Sequence, residues 1–227
     1  MNIIVFGAGT FGTAIAKALS SNNKNNVLLF SENQSKVNEI NSFNTNKSCF
    51  PNKHLPISVQ ATNNNDDLCY ADVIFIAYPS NIVIDKIQKF YKKFKNNVLV
   101  VNLSKGLLEG GTTVVECIKK EFKLKNIVTL KGPSFAIELM DHANTLLTLG
   151  YTTQDQLNTI SEIIKNTDND NPVTEADLKV NEFIINQIQE NYKDVDWGIL
   201  SEETFKIESD FCNRNFDWLW VLDPLDG

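Results

Sequence analysis

An α/β fold built on a doubly wound parallel sheet, followed by a smaller and incomplete α+β segment, is what the sequence predicts, on three observations. Short apolar runs recur through residues 1–165 and alternate with segments of helical composition. A glycine-rich turn, Gly7-Ala8-Gly9-Thr10-Phe11-Gly12, directly follows the first run. A polar, breaker-rich stretch at 166–171 then separates this alternation from a final segment with a different residue vocabulary.

Ile3-Ile4-Val5-Phe6 is apolar throughout, as a strand buried on both faces must be, and the helix formers Thr13-Ala14-Ile15-Ala16-Lys17-Ala18-Leu19 follow the glycines. Val27-Leu28-Leu29-Phe30 reads as a second strand, Ala71-Asp72-Val73-Ile74-Phe75-Ile76-Ala77 as a third, Asn97-Val98-Leu99-Val100-Val101-Asn102 as a fourth and Ile127-Val128-Thr129-Leu130 as a fifth. Helical stretches such as 82–94 and 113–122 separate most of them, and 152–165 reads as the last helix. Only a crossover returns a chain to run parallel, so this order implies a parallel sheet covered on both faces, a Rossmann-like domain.

In that setting each glycine has a mechanical task. Gly7 permits the tight turn, Gly9 lets backbone approach a pyrophosphate, and Gly12 lets the helix pack closely on the strand. The N–H groups that open the helix would then face the phosphate. Glu32, about twenty residues beyond Gly12 and just past the second strand, is placed either to accept hydrogen bonds from an adenosine ribose or to stand solvated in a loop. The first reading favours NAD over NADP, because a carboxylate repels a 2′-phosphate.

Of the 227 residues 42% are hydrophobic and 22% charged, a globular balance, and the net charge of −7 disfavours nucleic-acid and anionic-membrane partners while leaving small anions open. Cys49, Cys69, Cys117 and Cys212 lie far apart without Cys-x-x-Cys spacing, so reduced thiols are expected rather than a disulfide framework or a zinc site. The absence of a leader-like start or a membrane-length apolar run sets the expectation of a cytoplasmic protein. Asparagine clusters at 22–26 and 63–65 read as loops.

Three segments together, Gly7 to Gly12, Asn102-Leu103-Ser104-Lys105-Gly106 and Lys131-Gly132-Pro133-Ser134-Phe135-Ala136-Ile137-Glu138, resemble the bacterial NAD(P)-dependent glycerol-3-phosphate dehydrogenases, with Ala77-Tyr78-Pro79-Ser80 similar to a strand-end element of that family. The resemblance runs from Met1 to about Lys165. It implies that Thr10 and Phe11 line the cofactor, that Lys105 touches both cofactor and glycerol phosphate, that Gly132 and Ser134 hold the substrate, and that Ala136 approaches the nicotinamide. The residues alone leave Lys105 open as a surface lysine before a glycine turn, and Ser134 as a cap for a helix beginning at Phe135. The family's helical domain, with its catalytic acid/base, has no counterpart after Lys165. The expectation is therefore an oxidoreductase domain that binds a dinucleotide and a small phosphorylated substrate without efficient turnover.

Beyond the seam at 166–171, Thr174 and Asp177 are spaced as a helix cap and its partner, with Val180, Phe183, Ile184 and Ile188 on one apolar face. Gly198-Ile199-Leu200-Ser201-Glu202-Glu203-Thr204 and Trp220-Val221-Leu222-Asp223-Pro224-Leu225-Asp226-Gly227 follow in the order seen in the inositol monophosphatase superfamily, which residues 168–227 resemble. By that resemblance Glu202, Asp223, Asp226 and the Leu225 carbonyl are Mg²⁺ ligands, while Asp177 and Thr204 orient the metal-bound water; hard carboxylate oxygens suit Mg²⁺. The sequence stops inside this motif, so residues 172–227 are expected to form a truncated phosphatase-like segment. A Mg²⁺-dependent phosphomonoesterase and a fusion or gene remnant without evolved function are the alternative readings. Oligomeric state is left open.

Overall fold

A computed structural model of the protein describes residues 1–132, 135–141, 147–164, 175–191, 197–201 and 218–222. Its contacts divide the chain into two units, Met1–Thr167 and Asp168–Gly227. In the first, β1 (Asn2–Phe6) passes through the glycine turn into α1 (Thr10–Ser20). β2 (Asn26–Phe30), α2 (Gln34–Phe43), β3 (Val59–Thr62), β4 (Val73–Ile76) and α3 (Ser80–Phe90) follow. β5 (Leu99–Asn102), α4 (Val114–Phe122), β6 (Ile127–Lys131), α5 (Ala136–Asp141), β7 (Thr148–Gly150) and α6 (Gln154–Ile164) complete the unit.

These strands form one sheet in the order β3-β2-β1-β4-β5-β6-β7, parallel from β3 to β6. All five strands expected from apolar runs are present. Two were not foreseen. β3 is four residues long, carries the exposed Gln60 and sits at the sheet edge. β7 is antiparallel to β6, pairing Leu149 with Leu130, and adds an antiparallel edge to the expected parallel sheet. It is three residues long and mostly exposed, which is why no apolar run announces it. The helix read at 82–94 begins earlier, at Ser80, and gives way to a 3-10 turn over Tyr91–Lys93. The one at 113–122 is α4 with Thr113 as its cap, reciprocated by Glu116.

Alternation along the central strands sends side chains to two separate cores. Ile3 and Val5 join Val73, Phe75 and Val101 beneath α1, α2, α5 and α6. Ile4 and Phe6 join Ile74, Ile76 and Val100 beneath α3 and α4. Phe6 is the hub of the second core: its ring centroid lies 5.1 Å from those of both Phe30 and Tyr78 and 5.4 Å from that of Phe90. This aromatic packing fixes the end of β1 immediately below the glycine turn.

The first asparagine cluster does more than turn the chain. Asn22, only 3% exposed, donates from Nδ2 to the carbonyls of Glu162 (2.9 Å) and Ile163 (3.2 Å), while Asn25 donates to those of Leu19 and Ile163. The Glu162 and Ile163 carbonyls near the end of α6 are thereby satisfied by side chains of the α1–β2 turn.

In the second unit, α7 (Glu175–Asn191) precedes β8 (Trp197–Ser201) and β9 (Trp218–Leu222), a parallel pair in register from Trp197 with Trp218 to Ser201 with Leu222. Phe183, expected on an apolar face of this helix, is 65% exposed, whereas Ile184 and Ile188 are half-buried.

Two substitutions test this packing. Phe6→Ala removes the aromatic hub and is expected to destabilise the first unit by about 3–5 kcal/mol. Asn22→Ala takes the side-chain donor from the Glu162 carbonyl and one of two from the Ile163 carbonyl, and is expected to cost about 1 kcal/mol. Urea unfolding of the full chain followed by far-UV circular dichroism checks both. Phe43→Ala, at a side chain 68% exposed, should stay within about 0.5 kcal/mol of the parent.

Candidate functional site

Strand order reverses at β1, whose neighbours β2 and β4 send their connections in opposite directions, the point at which an open α/β sheet offers a crevice at the carboxyl ends of its strands. Five segments meet this edge: the glycine turn after β1, Glu32 after β2, Ala77 to Ser80 after β4, Leu103 to Gly106 after β5 and Gly132 after β6. Of the residues singled out in the first unit, all but Ser134 fall within the described residues.

The glycine turn is tightly built on one side and open on the other. Gly7 has φ +122°, and a Cβ there would meet the Ala77 carbonyl at 3.1 Å. A Cβ on Gly12 would stand 1.9 Å from the Gly7 carbonyl oxygen, so α1 can lie this close to β1 only with glycine at that position. Around Gly9, in contrast, a Cβ would have nothing within 4 Å. Gly9 is also the residue before α1 and has no side chain with which to cap it, so the N–H groups of the first turn face outward beside open backbone.

The carbonyls of this turn are tied down from behind. Thr13 Oγ1 donates to Gly9 O at 2.7 Å, and Asn46 Nδ2 donates to Thr13 Oγ1 at 2.8 Å and to Ala8 O at 3.3 Å; both side chains are buried. Lys36 Nζ donates to Ala8 O at 2.9 Å, which brings an ammonium group to the turn. Lys36, Thr13 and Asn46 were not recognisable as site residues from the sequence. Fixing the carbonyls inward leaves the donors of the same peptide units directed outward, the arrangement that receives an anion.

Across the crevice, Ser104, buried after β5, donates to the Tyr78 carbonyl at 2.7 Å and joins the β4 and β5 ends. Burial pushes the Tyr78 hydroxyl pKa up, so this ring stays neutral. Lys105 Nζ stands 5.7 Å from the centroid of the Phe11 ring, bringing together the β5 loop and the first turn of α1. Gly106 has φ +87°, and a Cβ there would sit 3.6 Å from Ser80 Oγ. Ala136 opens α5 and is half-buried against the core beneath α1. Lys17 of α1 donates to the Met140 carbonyl at the other end of α5 and holds the two helices together.

Glu32 is not a free loop carboxylate: one oxygen accepts from Lys86 and the other from Lys89, both on α3. Partial burial pushes its pKa up, but the two ammonium groups outweigh that effect and hold it below the ordinary glutamate value. A cavity of about 590 Å³ among Tyr91, Phe94, Phe122 and Lys125 includes none of these residues.

In the second unit Asp177 lies in the first turn of α7. Thr174, Glu202, Thr204, Asp223, Leu225 and Asp226 lie outside the described residues. Among the described residues no three His, Cys, Asp or Glu side chains come together as a metal centre, and no helix is long and apolar enough to cross a membrane. Among the described residues Cys49, Cys69 and Cys117 are unpaired.

Comparison with known proteins places two families on the chain. The model described as "Inositol monophosphatase family" matches residues 133–227, and that described as "NAD-dependent glycerol-3-phosphate dehydrogenase N-terminus" matches residues 2–158. The glycerol-3-phosphate dehydrogenase [NAD(P)+] of Mesoplasma florum is 29% identical over 171 residues, covering 73% of this chain and 51% of the relative. That of Orientia tsutsugamushi is 32% identical over 151 residues, covering 66% and 46%. The chain thus spans about half the length of the curated relatives it matches. Among solved structures, glycerol-3-phosphate dehydrogenase from Coxiella burnetii aligns with a TM-score of 0.65 at 23% identity, covering 76% of this chain and 55% of that one. The Saccharomyces cerevisiae enzyme aligns with a TM-score of 0.66 at 18% identity, covering 74% and 54%. These likenesses establish the Rossmann-like fold of the first unit. With the family model spanning residues 2–158, the chain belongs to the NAD-dependent glycerol-3-phosphate dehydrogenase N-terminal family.

Proposed function

We propose that the first unit binds a nicotinamide dinucleotide, preferentially as NAD(H), and presents it to a small phosphorylated polyol or ketone, glycerol 3-phosphate or dihydroxyacetone phosphate. The observation that carries this reading is the open backbone at Gly9 beside the outward N–H groups of α1, with the opposite side of the turn locked by Gly12. The pyrophosphate lies against Gly9, Thr10 and Phe11, where donors and helix dipole favour negative charge. Glu32 accepts from the adenosine ribose. Lys105, already across the crevice from α1, supplies a cation toward the substrate phosphate and the reacting oxygen, with Gly132 and Ser134 beside it and Ala136 toward the nicotinamide. When bound, the cofactor supplies or accepts hydride. The chain's own residues bind and orient; among the described residues none is placed as a proton donor and acceptor at the substrate hydroxyl. A cytoplasmic setting suits such a ligand set.

A second reading concerns the other unit and rests on the family match over residues 133–227. Glu202, Asp223, Asp226 and the Leu225 carbonyl would hold Mg²⁺, with Asp177 and Thr204 oriented toward a metal-bound water in phosphate-ester hydrolysis. About sixty residues bury too little surface for a rigid cage, and clustered carboxylates without metal repel one another. We place the domain seam at 166–171 and expect the segment beyond it to be the less stable of the two.

Three outcomes follow for the polypeptide of residues 1–227. NADH fluorescence titration should show saturable binding, and Gly9→Val should weaken it at least about tenfold, because the added branches occupy the space for the pyrophosphate. Unchanged binding in the folded variant would remove the glycine turn from the site. Steady-state assays with glycerol 3-phosphate and NAD should give turnover at least about a thousandfold below ordinary dehydrogenase values of 1–10³ s⁻¹. Rapid NADH production that Lys105→Ala abolishes would contradict the incomplete-catalyst reading. Limited proteolysis should cut first at 166–171 and then degrade the second unit, with little protection by Mg²⁺. A resistant second unit that releases phosphate in Mg²⁺, and loses this activity in Asp223→Asn, would instead establish the phosphatase reading.

A further inference from the structure

On the face of the sheet that carries α4, three positions form a row across three strands. Asn102 of β5 is in register with Thr129 of β6, and Thr129 with Gly150 of β7. Two residues earlier on the same face, Val100 and Ile127 belong to the core beneath α3 and α4. Where these apolar positions end, a cavity of about 350 Å³ opens, lined by the row, by Lys119 of α4 and by Lys131 of β6. Gly9, Lys105, Gly132 and Ala136 take no part in it. Asn102 is 1% exposed, and its Oδ1 accepts from the Ser104 N–H at 3.1 Å. That bond fixes which way the amide points, and among the described residues its Nδ2 donates to no protein acceptor. Lys131 is half-buried and Lys119 exposed, and among the described residues neither forms an ion pair. No acid among the described residues lines the cavity. Glu116 of α4 is engaged by the backbone and hydroxyl of Thr113, while Glu109 before α4 and Asp155 of α6 pair with neither lysine.

We propose that this cavity is a second binding site, separate from the glycine turn, for the phosphoryl group of a small phosphate monoester. It stands independently of the dinucleotide reading. The polar groups that the cavity offers are donors: the buried Asn102 amide, the Thr129 hydroxyl and the two ammonium groups. A buried donor without an acceptor is costly, and an oxyanion in the cavity relieves that cost at Asn102. A phosphate monoester brings roughly −1.5 to −2 charges and three acceptor oxygens at neutral pH, enough to engage both lysines and the amide together. A carboxylate, with one charge and two oxygens, leaves part of the set unmatched. The volume lies near the lower end of the roughly 300–1,000 Å³ of small-molecule sites, which suits a small ester rather than a dinucleotide. Gly150 keeps the row open. A Cβ there would stand 3.8 Å from Thr129 Cβ, an ordinary contact, so a branched side chain fits the strand and fills space that the ligand needs.

Amide-detected NMR of the full chain tests this at the residue concerned. The side-chain amide of Asn102, assigned through its own backbone, should shift saturably as inorganic phosphate or glycerol 2-phosphate is added at constant ionic strength, with the ester binding at least as tightly as the free ion. Acetate should bind at least about tenfold more weakly. Lys119→Gln and Lys131→Gln should each weaken the ester about fivefold, since both side chains are partly in solvent. Gly150→Val should weaken it at least about tenfold by filling the cavity, while circular dichroism matches the parent. An Asn102 amide that responds to neither phosphate probe overturns the proposal. So does a response that Gly150→Val and Lys131→Gln both leave unchanged in folded protein, and so do phosphate-induced shifts confined to Gly7–Gly12, which assign the anion to the glycine turn alone. Binding of inorganic phosphate with exclusion of the ester overturns the assignment of an ester as occupant, and acetate binding as tight as phosphate overturns the assignment of a phosphoryl group.

Discussion

Everything in the first unit depends on how closely α1 can approach the end of β1. The space between the Gly7 carbonyl and Gly12 has no room for a Cβ, and that contact sets the angle at which the helix leaves the sheet. From it follow the position of the α1 N–H groups, the face on which Ala14 and Ile15 enter the core, and the surface against which α5 packs. Phe6 completes the constraint from below, where four aromatic rings hold the last residue of β1 in place. The turn is therefore rigid on its protein side, and its exposed N–H groups need no reorganisation to receive an anion. Preorganisation of this kind is how a binding surface avoids the entropic cost of ordering a loop.

How much of this could be read from the sequence depended on the range of the interactions involved. Strands buried on both faces must be apolar at every position, so β1, β4 and β5 declare themselves within four or five residues. β3 and β7 are short edge elements whose pairing comes from the sheet they join, and their own residues carry almost no signal. The glycine turn was legible because its demands are local. Its clamp was not: Lys36 and Asn46 reach Ala8 from 28 and 38 residues away, and nothing in their neighbourhood marks either as special.

Glu32 shows the same limit at the level of chemistry. Its distance from Gly12 suggested a ribose acceptor, and its position after β2 is consistent with that use. Its charge environment comes from α3, 54 and 57 residues further on, and becomes visible only when the crossover places that helix beside β2. A motif can thus state which residue stands at a site without stating what its neighbours do to it. The electrostatic character of such a position is a property of the cluster, because a charge placed there feels the summed potential of all its groups.

The overlap of the two family matches, over residues 133–158, is best understood through packing. The described part of that stretch is built into the Rossmann-like unit. β7 extends its sheet through β6, Lys17 joins α5 to α1, and Ile160 and Ile163 of α6 complete one of its cores. Asn22 and Asn25 then satisfy the Glu162 and Ile163 carbonyls near the end of α6. Two side chains of the α1–β2 turn thus hold the end of α6 against the layer that carries α1, so the fold that positions Gly9, Glu32 and Lys105 is tied together from its first helix to its last by contacts within one unit.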